Sequence, residues 1–377
     1  MANPTAIEGW GKPPWVIDFH PDQQPVPREL DVAIVGGGFT GLAAAAWLRH
    51  IAPMKSVAVF ETGTIGCGAS GHTGGMALIE SAAGDLPGLG NVLGGLSDTL
   101  LRLDVSCDLT LPGVWEIARK DPLPDSPIDW SDSGNLRAAK LLPGGTIDPG
   151  KLVSGLARTA QRLGAQIHER SPVQQMNLAR GVELQVLGQS VKAGRVLLAT
   201  NAMSLELSSL AEKTQPKLTL ALATEPLTSE QIKSLGLESG RPFYTVDFPY
   251  LWGRLVSTGA VVFGSGLVHV DRWQDLADLD ISSGQTGELI ARLEHRVRQL
   301  HPCLRDVRIS NRWGGPILLT EQWRPVFEHH PRSQQAIVLG GYCGHGVALS
   351  VHLGRWAAEV LAGTRELPAW NLSTSKS

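Results

Sequence analysis

The chain reads as α/β, α+β overall: a parallel sheet of nucleotide-binding type, interleaved with a mainly antiparallel one. Three observations carry this reading. A strand, glycine turn, helix and second strand occupy residues 31–61. A late buried strand runs through a glycine-rich turn into a helix near the C-terminus. The middle of the chain alternates apolar and polar residues in the manner of antiparallel strands. Like elements at both ends of a sheet-rich middle mean interleaved domains, and 377 residues exceed one ordinary core.

Residues 1–30 hold Pro13, Pro14, Pro21, Pro25 and Pro27 with Trp10, Trp15 and Phe19, which predicts an extended arm with aromatics packed on the domain. Asp31–Val35 is a buried parallel strand, and Gly36-Gly-Gly-Phe-Thr-Gly41 has the G-x-G-x-x-G spacing. Leu42–His50 follows as a helix and Val57–Phe60 as a strand, ending on Glu61. In such a unit Gly36 makes the tight turn, Gly38 admits a pyrophosphate and Gly41 lets helix and strand pack closely. The helix N-terminus faces phosphate, and Glu61 accepts from a ribose. This is a Rossmann-like dinucleotide site.

Thr62–Gly75 is glycine-rich and polar, and is expected to be loop. Leu93–Trp115 has room for a helix, and Pro122–Pro127 is loop. Pro149–Leu163 is a helix stopped by Gly164. Strands follow at Gln166–His168, Val173–Leu178, Val182–Val186 and Arg195–Ala199, the last running into Thr200-Asn201-Ala202. Lys213–Val270 reads as antiparallel sheet, and Gly287–Leu300 as an amphipathic helix. Ala336–Leu339 is a final strand before Gly340-Gly-Tyr-Cys-Gly-His-Gly346 and a helix. The expected division is therefore an arm (1–30), a Rossmann-like domain (31–85, 146–210 and 331–365), a sheet domain (86–145 and 211–330) and a tail (366–377).

Composition narrows the function. A net charge of −3 without a basic face argues against nucleic acid. No apolar run approaches the roughly 18–20 residues of a membrane span. Four dispersed cysteines form no C-x-x-C pair and no metal motif. With no secretory signal, a reducing cytoplasmic setting is expected.

Several motifs occur in order: the 31–61 unit, Gly66-Cys-Gly-Ala-Ser-Gly-His-Thr-Gly-Gly75, Ala199-Thr-Asn-Ala202, Trp313-Gly-Gly315 and Gly340–Val347. Together they resemble the D-amino-acid-oxidase-type FAD-dependent oxidoreductases, which include glycine oxidase, sarcosine oxidase and gamma-glutamylputrescine oxidoreductase, over residues 25–365. The resemblance implies FAD and oxidation of a C–N bond in an amine or N-substituted amino acid, polyamine-like compounds included, by hydride transfer to the flavin. It implies ADP at Gly36, Gly38, Phe39, Thr40, Gly41, Glu61 and Thr62. The middle of the cofactor falls at Ala69, Ser70, Gly71, His72, Gly75 and Met76, and adenine at Val173. Thr200, Asn201, Gly341, Gly344, His345, Gly346 and Val347 complete the set, with the late helix N-terminus near the flavin pyrimidine, where it favours negative charge.

Three departures stand against the resemblance. Pro316-Ile317 follows Trp313-Gly-Gly315 where glycine-oxidase-like relatives carry a carboxylate-clamping arginine. Arg254 and Arg312 are stand-ins, with a surface or salt-bridge role as the plainer reading. Asp247 and Glu321 are acids available to a cationic substrate. Val261-Val-Phe263 is apolar where sarcosine-oxidase-like members use a lysine toward oxygen, so oxygen and an electron-acceptor partner both stay open. His72 stands where some relatives bond flavin covalently, while ordinary polar contact is the plainer role. Tyr250, Trp252, Arg254 and His345 are the catalytic or pocket candidates, and Cys343 is taken as packing. A nicotinamide-dependent dehydrogenase and a non-catalytic flavin-binding, electron-transfer subunit are the rival readings.

Overall fold

A computed structural model describes residues 8–371. Its first sheet runs Val326–His330, Ser333–Gly340, Gln189–Leu198, Glu29–Val35, Val57–Phe60, Gln166–His168. The inner pairings are parallel, and only the edge strand Val326–His330 is antiparallel on this path. A hairpin, Val173–Asn177 with Val182–Val186, extends from Gln189–Leu198. Parallel strands covered on both faces read as unbroken apolar runs, which is why Val57–Phe60 is buried throughout.

The helix Phe39–Ile51 packs between Pro149–Arg162 and Gly346–Ala362. Its run Ala43–Ala46 is buried because alanine allows close helix approach; a Cβ on the facing Gly354 would stand 2.7 Å from Thr40 O. Asp148 caps Pro149–Arg162 by accepting from Lys151 N at 2.9 Å, with proline at the first helical position.

The second sheet runs Ile309–Thr320, Thr214–Thr224, Val261–His269, Trp252–Leu255, Phe243–Thr245, Val114–Ala118, Asn135–Leu142, Trp130–Ser131. It is antiparallel except where Phe243–Thr245 meets Val114–Ala118. The arm packs as expected from residue 8 onward. Trp10 is fully buried and donates Nε1 to Leu276 O at 2.7 Å, and Trp15 donates to Gly71 O at 2.7 Å. Residues 1–7 and 372–377 of the expected arm and tail lie outside the described residues.

Four expectations change. The 62–75 loop contains a one-turn helix, Ala69–His72, whose Gly71 packs on Gly66 O. The helix expected in 93–115 is Val92–Leu103, while Trp115 lies on a strand of the second sheet. Residues 86–107, expected with that sheet, put Leu86, Leu96, Leu100 and Leu103 into the core around Phe39–Ile51. The last return to the first sheet begins at Val326, ahead of residue 331, because Val326–His330 and Ser333–Gly340 form one hairpin. No helix among the described residues is long and apolar enough to cross a membrane.

Candidate active site

One cavity of about 1080 Å³ runs from the fingerprint turn to the second sheet. That exceeds the roughly 300–1,000 Å³ of a cleft for one drug-sized ligand, and suits a dinucleotide with a second molecule beside it. At its first end Gly36 has φ +111°, and a Cβ there would lie 2.5 Å from Ala199 O. Gly38 precedes the helix Phe39–Ile51 and supplies no side-chain cap. Phe39 N donates instead to Ser70 Oγ at 2.9 Å, which joins the turn to the second glycine loop. Glu61 accepts from Gly37 N at 2.8 Å and Gly63 N at 2.9 Å. Withdrawal from water raises its carboxyl above the ordinary value, and the N–H donors oppose that rise.

Both ends of the chain meet here. Thr40 Oγ1 and Tyr342 Oη are 2.6 Å apart, and Gly341 N donates to Asn201 Oδ1 at 3.0 Å. Thr200 Oγ1 is buried at the cavity wall without a hydrogen-bond partner among the described residues. A native fold rarely strands such a hydroxyl, so the site fits a ligand that satisfies it. The helix Gly346–Ala362 begins at the wall behind His345, also without a side-chain cap, and its N–H groups favour an acceptor or anion.

His72 Nδ1 lies 2.9 Å from Gly68 O and His345 Nδ1 lies 3.5 Å from Cys343 O. A carbonyl only accepts, so each ring carries its proton on Nδ1 and leaves the Nε2 lone pair free. Burial lowers both imidazoles below their ordinary pKa, which keeps them neutral. His72 is fixed further by Trp313, which donates Nε1 to its carbonyl at 2.9 Å, and by the edge of Trp10, 5.6 Å between centroids.

Most residues expected at the cofactor line this cavity: Gly36, Gly38, Phe39, Thr40, Glu61, Thr62, Ala69, Ser70, His72, Met76, Val173, Thr200, Asn201, Gly344, His345, Gly346 and Val347. Gly41, Gly71, Gly75 and Gly341 do not. They pack the wall from behind; a Cβ at Gly41 would fall 2.0 Å from Gly36 O, which is the close helix–strand contact expected of it. Tyr250 and Trp252 line the other end, with the Trp252 ring across Gly74 and Gly264.

Arg254 is corrected. It is buried, pairs with no acid among the described residues, and does not line the cavity. Its Nε donates to Gly74 O at 2.5 Å and its guanidinium lies 5.6 Å from the Trp15 ring. Burial lowers it to about 10. Arg312 is engaged as expected, 2.5 Å from Glu294. Asp247 and Glu321 are both off the cavity, Asp247 accepting from Arg119 N. Val261-Val-Phe263 is buried core. Cys343 lines the wall and also packs beside Thr320.

Sequence reasoning missed Trp10, Thr219, Tyr244, Ile317 and Trp323 as wall residues. Thr219 was findable, as it alternates with the buried Leu218 and Leu220 and so faces the other side of the strand.

A parallel sheet, a glycine fingerprint ending on Glu61 and a late helix N-terminus converging on one cavity define a dinucleotide-dependent oxidoreductase of the two-sheet type. A family model described as FAD dependent oxidoreductase matches residues 31–360, and the chain belongs to that family. Its cofactor is FAD, and the nicotinamide reading falls with that match. The chain is 28% identical to the gamma-glutamylputrescine oxidoreductase of Escherichia coli (strain K12), over 89% of this chain and 84% of that protein. Among solved structures it resembles glycine oxidase from Geobacillus kaustophilus (TM-score 0.71, 19% identity, 93% of this chain and 99% of that one). It also resembles L-proline dehydrogenase from P. horikoshii (TM-score 0.73, 16% identity, 92% and 97%). These likenesses show the fold.

Proposed function

We propose that this chain oxidises the C–N bond of a small-molecule amine. The observation that carries the reading is the continuity of one cavity from the fingerprint turn, past His72 and His345, to the face of the second sheet at Trp252 and Thr219. Gly36, Gly38, Glu61, Thr62 and Val173 would hold the adenosine and pyrophosphate end of FAD. Ala69, Ser70, His72 and Met76 would hold its middle, and Thr200 would receive the partner it lacks. FAD, when bound, supplies the acceptor for the hydride that leaves the carbon beside the amine nitrogen, giving an imine that water opens to a carbonyl.

The protein's part is positioning and proton handling. An amine gives up hydride readily only when neutral, and the Nε2 lone pairs of His345 and His72 are uncharged acceptors for an ammonium proton in the same cavity. The N-terminus of Gly346–Ala362 favours negative charge at the wall by about 0.3–2 kcal/mol, depending on burial. Trp252, wedged against Gly74 and Gly264, gives a fixed flat wall.

Cofactor attachment is read as non-covalent, with His72 in ordinary polar contact. Yellow colour that stays with acid-precipitated protein would overturn that point. The function itself is tested by anaerobic mixing of FAD-loaded protein with secondary amines, polyamines and amino acids. Bleaching of the flavin by one of them is expected, and a yellow form unchanged by all would refute it. Peroxide formation on admitting air then separates oxygen from an acceptor protein.

A further inference from the structure

The cavity has an unusual charge inventory. Among the described residues that line it there is no lysine or arginine, and its two acids are Glu61, bound to backbone N–H groups, and Glu80. Both histidines there are held neutral by burial. None of the nearby cations lines the cavity. Arg254 serves Gly74 O, and Lys217, in register with the wall residue Ile317, is bonded to His269. Arg119 and Arg296 both pair with Asp132, and Arg296 also donates to Pro249 O at 2.7 Å. A carboxylate entering this cavity would shed water and find no lysine or arginine in the wall to pair with, which is penalised.

The mouth is apolar instead. Ile79, Val246, Phe248, Tyr250, Leu267 and Trp323 all line the cavity, and all are exposed large hydrophobic residues. Phe248 is 76% exposed and Trp323 51%, in a chain that fully buries Trp10, Trp130 and Trp313. The Phe248 and Tyr250 rings lie 4.1 Å apart. Their turn is braced from behind, by Arg119 N donating to Asp247 at 2.8 Å and by Arg296 on Pro249 O. Exposed rings on a braced turn, continuous with an interior cavity, form a collar for an apolar group that enters with the substrate. Glu80, an exposed acid that also lines the cavity, favours a cationic head over an anionic one.

We infer that the substrates of this chain are amines without a carboxylate, whose nitrogen carries a bulky apolar group, aromatic or long alkyl, seated in the collar of Phe248, Tyr250 and Trp323. The inference rests on the reading of the cavity as an amine-oxidising site and narrows it.

The test uses FAD-loaded full-length protein and matched pairs: N-methylbenzylamine against sarcosine, and N-methylphenethylamine against N-methylphenylalanine. Equilibrium binding is read anaerobically from the flavin spectrum and tryptophan quenching, and flavin reduction by stopped flow. The carboxylate-free member of each pair is expected to bind at least tenfold tighter. Phe248→Ala and Trp323→Ala, both at exposed positions, are each expected to shrink the preference for N-methylbenzylamine over dimethylamine by about tenfold. Leu267→Arg is expected to move preference toward N-methylphenylalanine. Equal or tighter binding of the carboxylate-bearing members overturns the inference, as does a preference unchanged in both collar variants. Binding in the expected order without any flavin reduction supports the ligand class and refutes the catalytic reading. Absence of binding by every member overturns both.

Discussion

Tyr342→Phe removes one oxygen from the place where the two ends of the chain meet. The Tyr342 hydroxyl and Thr40 Oγ1 lie 2.6 Å apart across 302 residues of sequence, and both side chains are buried. Burial pushes the phenol well above its ordinary value, so it stays protonated and the bond survives mildly alkaline pH. Neither hydroxyl has another partner among the described hydrogen bonds. Losing one strands the other, at about 1–3 kcal/mol, whereas losing both together is nearly neutral. Thr40→Val and Tyr342→Phe are therefore each expected to destabilise FAD-free protein by about 1–3 kcal/mol. The double variant should cost clearly less than the sum, with a coupling of about 1–2 kcal/mol. Urea unfolding of all four FAD-free proteins, followed by tryptophan fluorescence and circular dichroism, gives the cycle. Strictly additive single variants would refute the claim that this bond joins the fingerprint helix to the C-terminal return.

Three further outcomes follow from the wall of the cavity. Thr200→Val deletes a hydroxyl that is buried without a partner among the described residues, so FAD-free protein should gain about 1 kcal/mol. FAD affinity should fall about tenfold, and a fall in both quantities would show that the hydroxyl serves the fold. Gly74→Ala would place a Cβ 2.1 Å from Trp252 Cζ3, so an overpacking loss of about 1–3 kcal/mol is expected, with an altered Trp252 emission and a raised amine KM. Wild-type emission and KM in that variant would contradict the wedged ring. Glu61 is raised above the ordinary 4.5 by desolvation, so its contribution to stability is fully present below that value and is lost as pH rises through the raised value. Relative to Glu61→Gln, FAD-free wild type should therefore lose stability from acid toward neutral pH. A flat difference in urea midpoint across that range would count against it.

The nucleotide half of the fold was legible because its chemistry is local. Val57–Phe60 is a strand with the expected bounds, and Gly164, at φ +93°, ends the helix that begins at Pro149. Each follows from a few adjacent residues: a buried apolar run, a proline start, a glycine stop. Where several signals competed over a long window, the reading failed. Residues 86–107 give a mixed pattern with room for a helix, and only the packing of Leu96 and Leu100 around Phe39–Ile51 assigns them to the first sheet's core.

The substrate half was hidden for a related reason: its side chains get their meaning from partners far away in sequence. An arginine on a strand next to an aromatic reads as a surface charge. Arg254 is buried because Trp15 of the arm and the Gly74–Gly75 backbone close over it, contacts spanning about 180 residues and more. The same holds for the collar. Tyr250 was a pocket candidate from the sequence, but nothing local marks Phe248 or Trp323 as its companions. Phe248 and Tyr250 are held exposed by the brace that Arg119, Arg296 and Asp132 build behind their turn, with residues from three separate stretches of chain. Cofactor recognition by backbone and glycine is thus written in spacing. Substrate recognition is written in which charges are already paired, and here the paired arginines leave the cavity to apolar groups.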